Sequence, residues 1–107
     1  MASTPEKKVK DKVVKVLKEN NVYYFFPATF GMGRSGVPDI ICCVDGRFLA
    51  IECKAGANKP TALQQRELHA IASAGGSALV INEENIDQVA NIVRLLKEHD
   101  GEASHGN

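Results

Sequence analysis

The sequence predicts one α/β domain in the order helix, three strands, helix, strand, helix. Its 107 residues are enough for one compact core and too few for two. Apolar residues recur at helical spacing in three segments, and strand-like apolar runs lie between those segments. Two of these runs flank Asp45-Gly46, the strongest short-range hairpin signal. The chain should therefore fold alone around a sheet flanked by helices.

The first two elements have clear local signals. Ser3 or Thr4 can cap a helix that has Pro5 in its first turn and ends at about Asn20. Its inward residues recur at helical spacing: Val9, Val13, Val16 and Leu17. Residues 22–26 are β-branched and aromatic and predict a strand, which Pro27 limits. A glycine-rich loop follows.

The hairpin strands are expected over 39–44 and 47–54. Thr61 opens the second helix, with Leu68 and Ile71 facing inward and Gly75-Gly76 marking its end. A short strand follows over Ser77–Ile81. The last helix should run to about Glu98, because the apolar spacing stops there. The folded domain should thus span 1–98, and residues 99–107 should form a disordered tail.

Charge is balanced overall but uneven along the chain. The chain has thirteen basic and thirteen acidic residues. Residues 1–60 contain ten basic and six acidic residues, whereas residues 61–107 contain three basic and seven acidic residues. The first half could therefore meet a polyanion through Lys7, Lys8 and Lys10. The alternative is that these lysines form the solvated face of a helix.

Three cysteines, Cys42, Cys43 and Cys53, have no C-x-x-C spacing. The odd count and the spacing argue against a disulfide framework or a zinc site, so we expect three small buried side chains in a reducing compartment. No apolar run approaches the roughly 18 residues of a membrane span, and no signal-peptide core follows the N-terminus. We expect a cytoplasmic protein that is neither secreted nor bound to a membrane.

The hairpin brings chemistry-bearing side chains together. If a two-residue turn pairs Val44 with Arg47, the residue numbers of every cross-strand pair add up to 91. Asp39 then lies opposite Glu52, and Lys54 lies on the same face of the hairpin. Carboxylates this close repel unless a cation or proton lies between them. Hard oxygen ligands favour Mg²⁺, with Mn²⁺ able to substitute, and a lysine beside them suits phosphodiester hydrolysis. A plain salt bridge of Lys54 on an exposed hairpin face is the alternative.

The glycine-rich loop before the hairpin satisfies G-x-G-x-x-G over residues 31–36. In a dinucleotide site these glycines open a helix, whereas Pro38 and a strand follow here, so we expect no nucleotide cofactor. Arg34 and Ser35 in this loop could instead let a DNA backbone approach closely. A simple turn remains the other interpretation.

Pro38-Asp39, twelve intervening residues and Glu52-Cys53-Lys54 together resemble the PD-(D/E)xK nuclease superfamily. The wider run over residues 33–40, the strand ending in Glu52-Cys53-Lys54 and Thr61-x-x-Gln64 resemble the small stand-alone viral or phage members of the virus-type replication-repair nuclease family, VRR-NUC. This resemblance implies a restriction-endonuclease-like fold, with a mixed central sheet flanked by helices. It also implies metal-dependent endonuclease cleavage of branched or flapped DNA.

The resemblance also implies roles for individual residues. Asp39 and Glu52 match the metal ligands, joined by the backbone carbonyl of Cys53, and Lys54 matches the catalytic lysine. Gln64 matches a glutamine on the following helix, and Glu6 an acidic residue on the first helix that can reach the metal through water. Both have structural alternatives, because Ser3-x-x-Glu6 and Thr61-x-x-Gln64 are also capping boxes.

We therefore expect a Mg²⁺-dependent endonuclease that acts on branched DNA in the manner of a Holliday-junction resolvase. Cleavage of flaps or forks, a non-catalytic DNA-binding module and action on mononucleotides are the alternatives. The aromatic segment from Tyr23 to Phe30 is richer than one short strand needs for a core. It suggests a homodimer interface, since a symmetric junction needs two cuts. Ordinary sheet core is the other interpretation.

Overall fold

The elements follow the predicted order. The structure is a computed structural model that describes the backbone of residues 3–28 and 32–105 and the side chains as far as 98. The helices are α1 (Pro5–Glu19), α2 (Ala62–Ser73) and α3 (Asp87–His105). The strands are β1 (Tyr23–Phe25), β2 (Ile40–Val44), β3 (Arg47–Cys53) and β4 (Ser77–Ile81). The predicted α/β fold is confirmed.

The four strands form one mixed sheet in the order β1-β2-β3-β4. β1 with β2 and β2 with β3 are antiparallel, whereas β3 and β4 are parallel because α2 crosses over between them. The hairpin turn pairs Val44 with Arg47, and the ladder runs to Ile40 opposite Ile51. The residue numbers of every pair add up to 91, so the predicted register is confirmed. Both turn residues have positive φ, 50° at Asp45 and 85° at Gly46, as a type I′ hairpin requires.

One face of the sheet carries the hydrophobic core. Alternate residues of β2 and β3 are buried there against α1 and α3. The core residues of these four elements are Val9, Val13, Leu17, Ile40, Cys42, Val44, Leu49, Ile51, Cys53, Val89 and Val93. On the opposite face α2 packs against β4, and Ile71 and Phe48 line a shallow groove. α2 leaves Tyr23, Phe25 and Phe48 exposed on that face.

The ends of α1 are fixed by side chains. The Thr4 hydroxyl caps the first turn by accepting a hydrogen bond from the Lys7 amide at 3.1 Å. At the other end the Lys97 ammonium of α3 donates to the Asn20 carbonyl at 2.8 Å. A cation beside the carbonyl end of a helix is favourable, so this contact joins α1 to α3.

The structure corrects two expectations. Cys43 is exposed rather than buried, because it lies between Tyr23 and Phe48 on the face that α2 leaves open. Helix α3 does not end at about Glu98 but continues to His105, since helical hydrogen bonds can propagate through a segment that has no apolar face. The expected disordered tail is thus helical as far as His105, and residues 106 and 107 lie outside the described part. Within the described part, no helix is long and apolar enough to span a bilayer.

Candidate active site

Asp39 is positioned where the backbone ladder of the hairpin ends. It lies one residue before β2, beyond the last pair of Ile40 with Ile51. Its Oδ2 accepts a hydrogen bond from the Cys53 amide at 2.8 Å. This side-chain contact links the two hairpin strands beyond the last backbone pair. This contact fixes one carboxylate at the open end of the hairpin, as the register predicts.

Glu52 is the most unusual carboxylate of the described chain. Its residue surface is only 1% exposed, and its Oε1 is buried with no hydrogen-bond partner. Burial, and secondly the charge of Asp39, raise the pKa of Glu52 to about 7, although Lys54 acts in the opposite direction. The predicted repulsion between the two carboxylates is therefore present.

Among the described residues, Lys54 is the cation that pairs with Glu52. Its Nζ lies 3.4 Å from Glu52 Oε2, and its side chain is only 11% exposed. The salt bridge considered from the sequence does exist, but it is buried rather than exposed. A buried pair loses the hydration of both ions, and here one carboxylate oxygen remains unpaired. A buried ion pair with an unpaired carboxylate oxygen contributes little to stability, so stability alone does not account for it.

Glu6 faces the same region from the first turn of α1. The Ser3-x-x-Glu6 capping box does not form, because Thr4 is the capping residue. Glu6 instead lines a cleft of about 340 Å³ together with Asp39 and Cys53. The other residues of that cleft are Thr4, Lys7, Lys10, Asp11 and Phe26. The structure thus brings Glu6 to Asp39, with Glu52 and Lys54 buried beside them.

Gln64 has a different local role. Its side-chain oxygen accepts a hydrogen bond from the Thr61 amide at 2.9 Å, while its own amide donates to the Thr61 hydroxyl at 3.2 Å. The capping box predicted as the alternative is therefore formed. This contact engages the side chain at the start of α2, and a catalytic role for Gln64 stays a prediction.

The glycine-rich loop is attached to α2 by contacts that the sequence does not reveal. Arg34 makes a bidentate ion pair with Glu67, with Nε to Oε1 at 3.0 Å and Nη2 to Oε2 at 2.9 Å. The hydrogen bond from Arg34 lowers the pKa of the Glu67 carboxyl. Gly36 has φ +77°, and a Cβ there would lie 2.8 Å from the Leu63 carbonyl carbon. These contacts hold the segment that leads into Pro38 and Asp39.

The predicted DNA-contact residues are in two places. Arg34 is paired with Glu67 and Ser35 is exposed in the same loop. Lys7 and Lys8 are exposed on α1, where Lys7 pairs with Asp11 at 3.1 Å, and Lys10 lies at the cleft. Glu67 was missed, although it shares the helical stripe of Gln64 and Ile71. It is the buried residue of α2, whereas Leu68 and Ile71 are only half-buried.

The donor set suits a small hard cation with open positions. Asp39 and Glu52 supply adjacent carboxylates, and the unpaired Oε1 of Glu52 is a buried acceptor that a cation would satisfy. Among the described residues, no group of three or more His, Cys, Asp or Glu side chains could hold a metal ion. Two carboxylates would therefore need a backbone carbonyl and water to complete the coordination of Mg²⁺.

Comparisons with known proteins agree with this architecture. No family model matches the sequence. A curated phage protein, "Putative nuclease p44" of Acyrthosiphon pisum secondary endosymbiont phage 1, is 31% identical over 78 residues, which cover 72% of this chain and 81% of that protein. Two solved structures, "VRR_NUC domain" and "VRR_NUC domain protein", superpose with TM-scores of 0.68 and 0.66.

The structural matches cover most of each chain. The first covers 86% of this chain and 97% of the solved one at 21% identity, and the second covers 89% of both at 22%. At these identities the likeness concerns the fold, and the phage relative adds the sequence relationship. The chain belongs to the VRR-NUC nuclease family.

Proposed function

We propose that the protein is a Mg²⁺-dependent endonuclease that hydrolyses phosphodiester bonds in branched DNA. One observation carries the proposal: Glu52 is buried beside Lys54 with one oxygen unpaired, and it is repelled by Asp39, which lines the adjacent cleft. A structural ion pair would satisfy both oxygens, whereas a metal ligand retains an acceptor for its cation. The name of the phage relative supports the nuclease class.

Each residue has a separate task in this proposal. Asp39 and Glu52 hold the cation, with the Cys53 carbonyl as a third donor and Glu6 acting through water. The cation would supply Lewis-acid activation of the phosphate and lower the pKa of water near it. Lys54, held 3.4 Å from Glu52, orients the attacking water or offsets the negative charge that develops on the phosphate.

Branched DNA is the proposed substrate class, and the test is a panel of labelled DNAs. Junction, flap, fork, duplex and single-stranded substrates are incubated with Mg²⁺, Mn²⁺ or EDTA. We expect cleavage of the branched substrates with either metal, none with EDTA, and little cleavage of plain duplex. Equal or faster cutting of duplex would indicate a restriction-like enzyme instead. Tight binding without cleavage would indicate a DNA-binding module, and activity on free nucleotides alone would exclude a DNA nuclease.

A homodimer is the proposed working form on a four-way junction. Tyr23, Phe25 and Phe48 are exposed on the sheet face that α2 leaves open, which supports an interface there. Phe30, also part of the aromatic segment, lies outside the described residues. A two-fold dimer would supply two cleavage sites from one chain, so that both nicks fall within one binding event.

A further inference from the structure

Phe26 lies in an unusual position for an aromatic side chain. It follows β1 on the side of Tyr24, so it points toward α1, whereas Tyr23 and Phe25 point to the open face. Its ring does not enter the core and is 46% exposed. It forms part of the wall of the cleft that contains Asp39 and Glu6. A half-exposed phenyl ring therefore lies in the cleft with the candidate catalytic carboxylates.

The surroundings of the ring combine support with charge. Tyr24 packs against it with ring centroids 5.8 Å apart at a tilt of 50°. The Lys10 ammonium lies 4.2 Å from the ring centroid, within the range of a cation–π contact. Lys10 and Lys7 are the cations that line this cleft. A half-exposed aromatic ring beside lysines is the combination that single-stranded nucleic-acid sites use, with the ring for a base and the ammonium groups for phosphates.

We infer that Phe26 and Lys10 form a subsite for the nucleotide next to the cleaved phosphate, with its unpaired base stacked on the Phe26 ring. The inference rests on the proposed nuclease function and specifies its substrate. Lys10 contacts the phosphate on the same nucleotide. A base inside a duplex has both faces covered by its neighbours, so it cannot stack on a protein ring unless it leaves the helix. The subsite therefore selects positions where a base is already unpaired, such as a branch point or a flap.

Direct binding tests this subsite without relying on hydrolysis. The probe is a fluorescently labelled single-stranded oligothymidine, compared with the same backbone made of abasic sugars. Both are titrated in Ca²⁺ so that binding is read by anisotropy. We expect the wild type to bind the thymine probe about tenfold tighter than the abasic one, since stacking of one base contributes about this factor. Phe26→Leu, which keeps an apolar side chain, should abolish that difference.

Phe25→Leu is the matched control, because Phe25 is 47% exposed but its side chain points to the opposite face of the sheet. It should retain the preference for the thymine probe. Lys10→Gln should weaken binding of both probes to a similar degree and reduce the salt dependence by about one phosphate contact. A Phe26→Leu protein that keeps the full preference would overturn the subsite. So would a Phe26→Leu protein that becomes monomeric while Phe25→Leu remains dimeric, because the ring would then belong to an interface.

The two proposals fail in different ways. A protein that cuts junctions with Mg²⁺ but shows no base preference at Phe26 is a nuclease without this subsite. A protein that loses its base preference in Phe26→Leu but cuts no DNA has the subsite and lacks the proposed activity. Binding and cleavage measured on the same preparations therefore separate the two.

Discussion

At the scale of single residues, Glu52 is the side chain on which the proposed chemistry depends most. It is buried near the end of β3, an interior strand of the sheet, where a charged group is unfavourable unless it is paired. Lys54 offsets part of the cost, but Oε1 has no partner. The metal-free protein is therefore under electrostatic strain at a position where a cation would relieve it.

This strain should make the stability of the metal-free protein depend on pH. The pKa of Glu52 is raised from 4.5 to about 7 by burial first and by Asp39 second. Between these values the folded protein retains a proton that the unfolded chain has lost, so the contribution of Glu52 to stability falls as pH rises through this window. The expected loss is about 3 kcal/mol, at 1.36 kcal/mol per pKa unit. Urea unfolding in EDTA from pH 4 to 8 measures it.

Glu52→Gln is the control for this titration. Glutamine has nearly the same shape and no charge, so the loss attributed to Glu52 should disappear from the pH profile. At pH 8 the variant should be more stable than the metal-free wild type. If both proteins show the same profile, or the variant unfolds, the carboxylate is structural and its burial has another explanation.

A divalent cation should restore the stability that the metal-free protein loses when Glu52 ionises. At pH 8 Mg²⁺ would pair with the ionised Glu52, and a ligand that binds only the folded state at a hundred times its dissociation constant stabilises it by about 2.7 kcal/mol. The thermal midpoint of the wild type should therefore rise by several degrees when Mg²⁺ replaces EDTA. Glu52→Gln should show a much smaller rise. Equal shifts in both proteins would place the bound cation elsewhere.

At the scale of elements, the hairpin shows how much of the site the sequence predicts. The Asp45-Gly46 turn and the alternation of apolar residues determine the register, and the register places Asp39 near Glu52. These are local signals, so they could be interpreted without a structure. The depth at which Glu52 is buried depends on β4 and the helices around it, and no local pattern reports that.

The loop before the hairpin shows where sequence reasoning stops. Arg34 and Glu67 are 33 residues apart, and their pairing depends on how α2 lies relative to the loop. The sequence predicted Arg34 as a DNA contact, whereas the structure pairs it with a buried carboxylate. Cys43 is similar, because only the position of α2 decides that its face of the sheet is open. Tertiary placement rather than propensity determines these features.

Gly36 gives a prediction for this loop. Gly36→Ala places a methyl group 2.8 Å from the Leu63 carbonyl, in addition to adopting a positive φ. Gly33 has a similar φ of +82° but nothing within 4 Å of a Cβ, so Gly33→Ala changes the backbone preference alone. We expect Gly33→Ala to lower the free energy of unfolding by about 1 kcal/mol, and Gly36→Ala to lower it by roughly a further 1–3 kcal/mol. Urea unfolding compares them, and equal losses would mean that the loop does not press against α2.

At the scale of the whole molecule, the open face of the sheet and the cleft lie on different sides of β1. Tyr23 and Phe25 point to the open face and Phe26 to the cleft. A dimer formed through Tyr23 and Phe25 would therefore leave the Phe26 wall of the cleft available to DNA. This division would allow the proposed subunit contact and the proposed DNA contact to be changed separately.

Phe25→Lys tests the proposed dimer. The wild type should sediment at twice the chain mass of 11.6 kDa, and the variant should sediment as a monomer because a charge on an apolar interface is costly. We expect the monomer to nick junctions without making paired cuts. A wild-type monomer at micromolar concentration that still makes paired cuts would contradict the dimer. The nuclease proposal would remain, with flaps as the preferred substrate.

The central claim is that Asp39 and Glu52 hold the cation that cleavage requires. The most direct measurement is the rate at which equal amounts of wild type, Asp39→Asn and Glu52→Gln cleave a labelled four-way junction in Mg²⁺, with folding of each checked by circular dichroism. Asparagine can still accept the hydrogen bond from the Cys53 amide, so the fold should remain. We predict that both variants are folded and cut no faster than the wild type in EDTA. Folded variants that cleave at the wild-type rate would contradict the account.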